Sequence, residues 1–118
     1  MKKVLVIDSD EYNRLYLKIL LSSAGYCPVV SKDGDEALSI FKDEEISLIM
    51  VYDQGIGIDV SELAEKIRGH RKDIPIILLS SYFEKPYDKK LFSERFLIPV
   101  DRNRLISIIE DLTKEDLN

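Results

Sequence analysis

Val4-Leu5-Val6-Ile7-Asp8-Ser9-Asp10-Glu11 is the stretch on which the reading of this chain turns. Four apolar residues, three of them β-branched, run without alternation straight into acids. A run of this kind marks a strand buried on both faces, as in a parallel sheet. Leu48-Ile49-Met50-Val51, Ile76-Ile77-Leu78-Leu79 and Phe96-Leu97-Ile98 repeat the pattern, and Pro28-Val29-Val30 is a shorter candidate. Helical periods lie between them. Tyr12, Leu15, Tyr16, Ile19 and Leu20 recur at steps of three and four, and Ala24-Gly25 supplies a stop. Ala37, Leu38 and Phe41 follow Asp33, a helix-capping residue type. Val60, Leu63, Ala64 and Ile67 precede Gly69. Leu105, Ile108, Ile109 and Leu112 follow Asp101, a second plausible cap. Strands alternating with helices require right-handed crossovers and a parallel sheet covered on both faces. The expectation is an α/β domain of three layers, with five strands and five helices.

The 118 residues fit one domain spanning 1–118, with a polar tail from Thr113 to Asn118 expected to fray. Seventeen basic residues against twenty-two acidic ones leave a net charge of −5, which argues against nucleic-acid binding. A single cysteine, Cys27, cannot form an intramolecular disulfide and suits a reducing cytoplasm. The apolar run after Met1-Lys2-Lys3 is too short for a signal peptide or a membrane span. A cytoplasmic protein, away from membranes, is the expectation.

With these elements in order, the sequence resembles the receiver domain of response regulators, the CheY-like family of two-component and phosphorelay signalling. The residues that carry the resemblance are Asp8-Ser9-Asp10-Glu11, Arg14, Gly25-Tyr26, Asp33-Gly34-Asp35-Glu36-Ala37-Leu38, Ile67-Arg68, Ile74-Pro75, Ser80 and Pro99-Val100-Asp101. It covers nearly the whole chain. The resemblance implies a flavodoxin-like sheet in the order 2-1-3-4-5. It also implies a site at which two acids after strand one and an aspartate ending strand three hold Mg²⁺. That aspartate accepts a phosphoryl group, and a Ser/Thr and a Lys bind its oxygens.

This chain departs from that site. Asp8 keeps the first acid, but Ser9 stands at the second, and a hydroxyl is a weak Mg²⁺ ligand. Counting from Asp8, the acceptor falls on Tyr52 or Asp53. Counting back from Ile67-Arg68 gives Tyr52, and Asp59 then falls on the acid of the family's following turn. The usual loop proline is Ile56 and the lysine is Ile98; Ser80 keeps the hydroxyl. A neutral phenol, with a pKa of about 10, is a poor phosphoryl acceptor. Loss of acids and lysine together also avoids leaving unpaired buried charge. The expectation is therefore a pseudo-receiver: not an enzyme, independent of phosphorylation, needing no cofactor, and acting by protein–protein interaction. The alternative is a phosphorylatable receiver that uses Asp53, with a weak Mg²⁺ site of Asp8, Asp10 and Asp53. A flavodoxin-like FMN carrier fits less well, because three acids after strand one repel phosphate.

Other motifs read as ordinary structure. Lys85-Pro86-Tyr87-Asp88 copies the family's Lys-Pro-Phe-Asp text but comes too soon after Ser80. The short spacing from Ser80 to Pro99 instead implies a fourth helix shortened by about one turn. His70, after Gly69, reads as a loop residue. Gly55-Ile56-Gly57 lacks the third glycine of a nucleotide loop. Five of the ten aromatics lie between Tyr82 and Phe96. Phe92 and Phe96 read as core. Tyr82, Phe83 and Tyr87, with Ile106 beside them, are the candidate contact surface for a protein partner or for self-association. That surface is the face of the fourth helix, fifth strand and fifth helix.

Overall fold

The computed structural model describes residues 1–82 and 86–114. In chain order its elements are β1 Lys3–Ile7, α1 Glu11–Ser23, β2 Cys27–Ser31, α2 Gly34–Asp43, β3 Leu48–Tyr52, α3 Val60–His70, β4 Ile76–Ser80, β5 Glu94–Leu97 and α4 Arg102–Leu112. All five strands pair in parallel, in the order β2-β1-β3-β4-β5.

Side chains alternate across a strand, so each central strand feeds two cores. Leu5, Ile7, Ile49, Val51, Ile76 and Leu78 point toward α2 and α3 and meet Ala37, Phe41, Leu63, Ala64 and Ile67. Val4, Val6, Leu48, Met50, Ile77 and Leu79 point the other way and meet Leu17, Leu20, Leu21, Leu105 and Ile109 of α1 and α4. This is why the strand sequences carry no polar alternation.

Every helix starts on an aspartate. The carboxylates of Asp10, Asp33, Asp59 and Asp101 each accept first-turn backbone amides that have no helical partner of their own. Gly25, at φ +92°, turns the chain out of α1 in a conformation that side chains rarely adopt.

Three expectations are corrected. No helix lies between β4 and β5 among the described residues. There the carbonyl of Asp88 accepts from both Leu91 and Phe92, and its carboxylate accepts from Lys90. The result is one turn, which drops Phe92 into the α2/α3 core. Pro86, with no amide to donate, stands just before it. The guanidinium of Arg68 ties this turn to α3 by donating twice to the Leu91 carbonyl, and it also donates to the Lys72 and Ile74 carbonyls ahead of β4. Second, Gly69 does not end the third helix: α3 continues through His70. Third, of the apolar repeat read in α1, only Leu20 is buried. The packed face is Leu17, Leu20 and Leu21.

Thr113 closes α4 with its amide and hydroxyl both on the Ile109 carbonyl, and its own carbonyl accepts from Lys2. The rest of the expected tail, 115–118, lies outside the described residues. Among the described residues no helix is long and apolar enough to cross a membrane.

Candidate functional site

The strand register brings the singled-out residues to one place. Ile7 lies beside Val51, Tyr52 beside Leu79 and Ser80 beside Leu97. Asp8, Tyr52, Asp53, Ser80 and Ile98 therefore collect at the carboxyl edge of the sheet, where parallel α/β folds build their sites.

Asp8 is 1% exposed. Its carboxylate accepts from the Asp10 amide at 2.9 Å, and its carbonyl accepts from Arg14 at 2.7 Å. Burial pushes the Asp8 carboxyl above its ordinary value, and the Asp10 amide and Asn13 side chain pull it partly back. Asp8 lines a small hollow of about 80 Å³ with Asn13, Tyr16, Leu79, Ile98 and Pro99. Ile98 thus brings a hydrocarbon side chain to the same hollow as Asp8. Ser9 is exposed and abuts the backbone at Gly55, where an added Cβ would come within 2.9 Å of its hydroxyl. Gly55 itself has φ +73°.

Tyr52 and Asp53 part company at the end of β3. Tyr52 is half-buried against the α1/α4 core, on the side of Asp8 and Ile98. Its hydroxyl lies 2.5 Å from the Ser81 hydroxyl. Ser81 was not singled out in the sequence, where it is only one more polar residue after a strand. Asp53 donates its amide to the Leu79 carbonyl. Its side chain enters a cleft of about 200 Å³ on the α3 side, with Ser80, Ser61, Asp59, Tyr87 and Arg95. One buried oxygen of Asp53, Oδ1, has no hydrogen-bond partner. Ile56 is buried in the α2/α3 core.

These placements bear on the alternative Mg²⁺ set of Asp8, Asp10 and Asp53. Asp10 turns its carboxylate onto the Tyr12 and Asn13 amides as the α1 cap. Asp53 lies on the opposite side of the strand from Asp8. Among the described residues no three His, Cys, Asp or Glu side chains converge as a metal site. The set does not fit Mg²⁺, whose octahedral shell wants several oxygens around one point.

Of the expected contact residues, Tyr82 is 67% exposed. Tyr87 is half-buried beneath the Arg95 guanidinium, 4.9 Å from its ring centre. Ile106 is half-buried against the α1/α4 core. Phe83 lies outside the described residues, as does Lys85 of the early Lys-Pro-Tyr-Asp segment. The large exposed apolar side chains lie chiefly elsewhere, on α1: Tyr12, Leu15, Tyr16 and Ile19.

Solved structures share this architecture. A receiver domain protein from Clostridium thermocellum superimposes with a TM-score of 0.88 over 96% of this chain and 94% of its own, at 19% identity, a likeness of fold alone. A chain in the complex of histidine kinase ThkA with response regulator TrrA is 30% identical, with a TM-score of 0.84. The match covers 95% of this chain and 98% of that one. The chain belongs to the response-regulator receiver family. No family model matches this receiver. Among curated proteins it is 36% identical over 80 residues to the probable transcriptional regulator ycf27 of Porphyridium aerugineum. That match takes in 68% of this chain and 33% of the relative. The receiver spans about a third of the length of the curated relatives that head the comparison.

Proposed function

We propose that this receiver works in two-component signalling through protein contacts rather than by carrying a phosphoryl group. The observation that carries this reading is Tyr52: a phenol bonded to Ser81 at the end of β3 and packed, like Ile98, against the α1/α4 core. A phenol is neutral at physiological pH and a weak nucleophile. Ile98 supplies no charge to stabilise a transferring phosphoryl group. Such a module is a signalling domain and not an enzyme. Its partners are proteins, and a sensor kinase is the class supported by the likeness to a ThkA–TrrA chain. The exposed ring of Tyr82 and the half-buried Ile106 of α4 support a contact surface on the β5/α4 side. The lone Cys27 and the acidic balance support a cytoplasmic protein that does not bind nucleic acid.

A second reading rests on Asp53. Its unpartnered Oδ1 shares a cleft with Ser80 and Arg95, a hydroxyl and a guanidinium of the types that bind phosphoryl oxygens. One experiment separates the two. The chain is incubated with Mg²⁺ and acetyl phosphate, and its mass is measured intact and after proteolysis. An unchanged mass is expected. A phosphoryl adduct on Asp53, absent in Asp53→Asn, reverses the order of the readings.

A further inference from the structure

α1 carries two apolar stripes. Leu17, Leu20 and Leu21 are buried beneath it. On its outer side stand Tyr12 (81% exposed), Leu15 (53%), Tyr16 (47%) and Ile19 (60%), at helical spacing along one face. An open hollow of about 240 Å³ borders that stripe, lined by Tyr16, Ile19, Leu20, Ser23 and Arg102 of α4. Contiguous apolar surface of this kind is uncommon on a monomer and marks a contact site.

The geometry points to a second copy of this chain as the occupant, with the two α1 helices antiparallel about a two-fold axis between Leu15 and Tyr16. The stripe is self-complementary in that direction. Tyr12 falls opposite Ile19 of the second copy, and Leu15 opposite its Tyr16. The charges on the flanks agree. Asp10 and Glu11 stand at the amino end of α1 and Lys18 near its carboxyl end, all exposed. Arg102 adds a cation at that carboxyl end, 3.3 Å from the Ser23 hydroxyl. Among the described residues the ion pair is Lys3 with Glu44, and Glu11, Lys18 and Arg102 have no charged partner there. Antiparallel docking sets Glu11 of each copy beside Lys18 of the other on one flank, and Asp10 toward Arg102 on the opposite flank. A parallel arrangement stacks like on like. The same patch on both copies makes the contact isologous and closed. One helix face and its margin cover less than the roughly 800 Å² a side of a standard interface. The association is therefore weak and depends on concentration. It does not depend on whether Tyr52 or Asp53 governs the pocket.

Sedimentation equilibrium of the full chain over a concentration series tests this. Reversible monomer–dimer behaviour is expected. Ile19→Glu, at an exposed position, removes the dimer while leaving the thermal midpoint of the monomer in place. Glu11→Lys sets like charges together twice by symmetry and raises the dissociation constant about tenfold. Combining Glu11→Lys with Lys18→Glu restores it, because the pairs re-form with signs exchanged. A chain that is monomeric at every concentration overturns the proposal and leaves the stripe to a different protein. So does a dimer that survives Ile19→Glu, or a double variant as weak as Glu11→Lys alone.

Discussion

α1 and α3 carry the same apolar period and do opposite things with it. Val60, Leu63, Ala64 and Ile67 of α3 and Tyr12, Leu15, Tyr16 and Ile19 of α1 each repeat at 0, 3, 4 and 7. In α3 the last three are buried, and Val60 packs against the same core. In α1 all four face outward, and Leu17, Leu20 and Leu21 hold the helix to the sheet. Both helices begin alike, each on an aspartate that accepts the second and third amides of its helix. The lesson is that period identifies a helix and the existence of an apolar face. Where a helix has two such faces, packing chooses between them, and here it chose the aliphatic leucines over the stripe with two tyrosines.

Matched substitutions test the contrast. The largest effect is expected at Leu63, where Leu63→Ala costs about 2–5 kcal/mol in denaturant unfolding because the cavity cannot fully close. A smaller loss would mean that α3 packs loosely. Capping comes next. Asp59→Ala and Asp10→Ala each cost about 1 kcal/mol, since both carboxylates satisfy two otherwise unpaired amides. Unequal costs would break the parallel between the two helix starts.

The third effect depends on pH. Burial raises the Asp8 carboxyl above its model value of 3.8, so the fold binds that proton more tightly than the unfolded chain does. The unfavourable charge is absent below 3.8 and fully present above the raised folded value, so wild-type stability falls as pH rises through that window. Asp8→Asn keeps an oxygen for the Asp10 amide and has no charge. Its stability relative to wild type should therefore improve from acid to neutral pH, and a pH-independent difference would contradict the burial argument. The smallest effect belongs to Leu15→Ala, the α1 counterpart of Leu63→Ala. Monomer stability should move by no more than about 0.5 kcal/mol, because the side chain is already in water. A loss as large as that at Leu63 would place the outer stripe in the core and end the comparison.

Much of the site was readable in advance for reasons that differ by residue. Asp8 and Ser80 end apolar runs, and in parallel strands such ends gather at one edge. Spacing from Ile67-Arg68 favours Tyr52 over Asp53, and strand alternation then separates the two side chains. Ser81 was not readable. Its role comes from the reach of a phenol across to β4, and nothing local to a serine after a strand announces it. The missing fourth helix was unreadable for a similar reason. Phe92 has the right character for a helix face, but its burial is achieved from a turn that Arg68 holds by two hydrogen bonds to the Leu91 carbonyl.

By itself, the amino-acid sequence determined the parallel sheet, the alternation of elements, the aspartate caps Asp33 and Asp101, and the side-chain types that end the strands, Asp8 and Ser80 among them. These follow from local chemistry: buried runs, helical periods, capping groups and side-chain type. The tertiary structure alone decided which stripe of α1 faces water. It also decided that the Tyr52 hydroxyl meets Ser81. Each of these depends on atoms brought together from distant parts of the chain, where the packing of one element sets the surroundings of another.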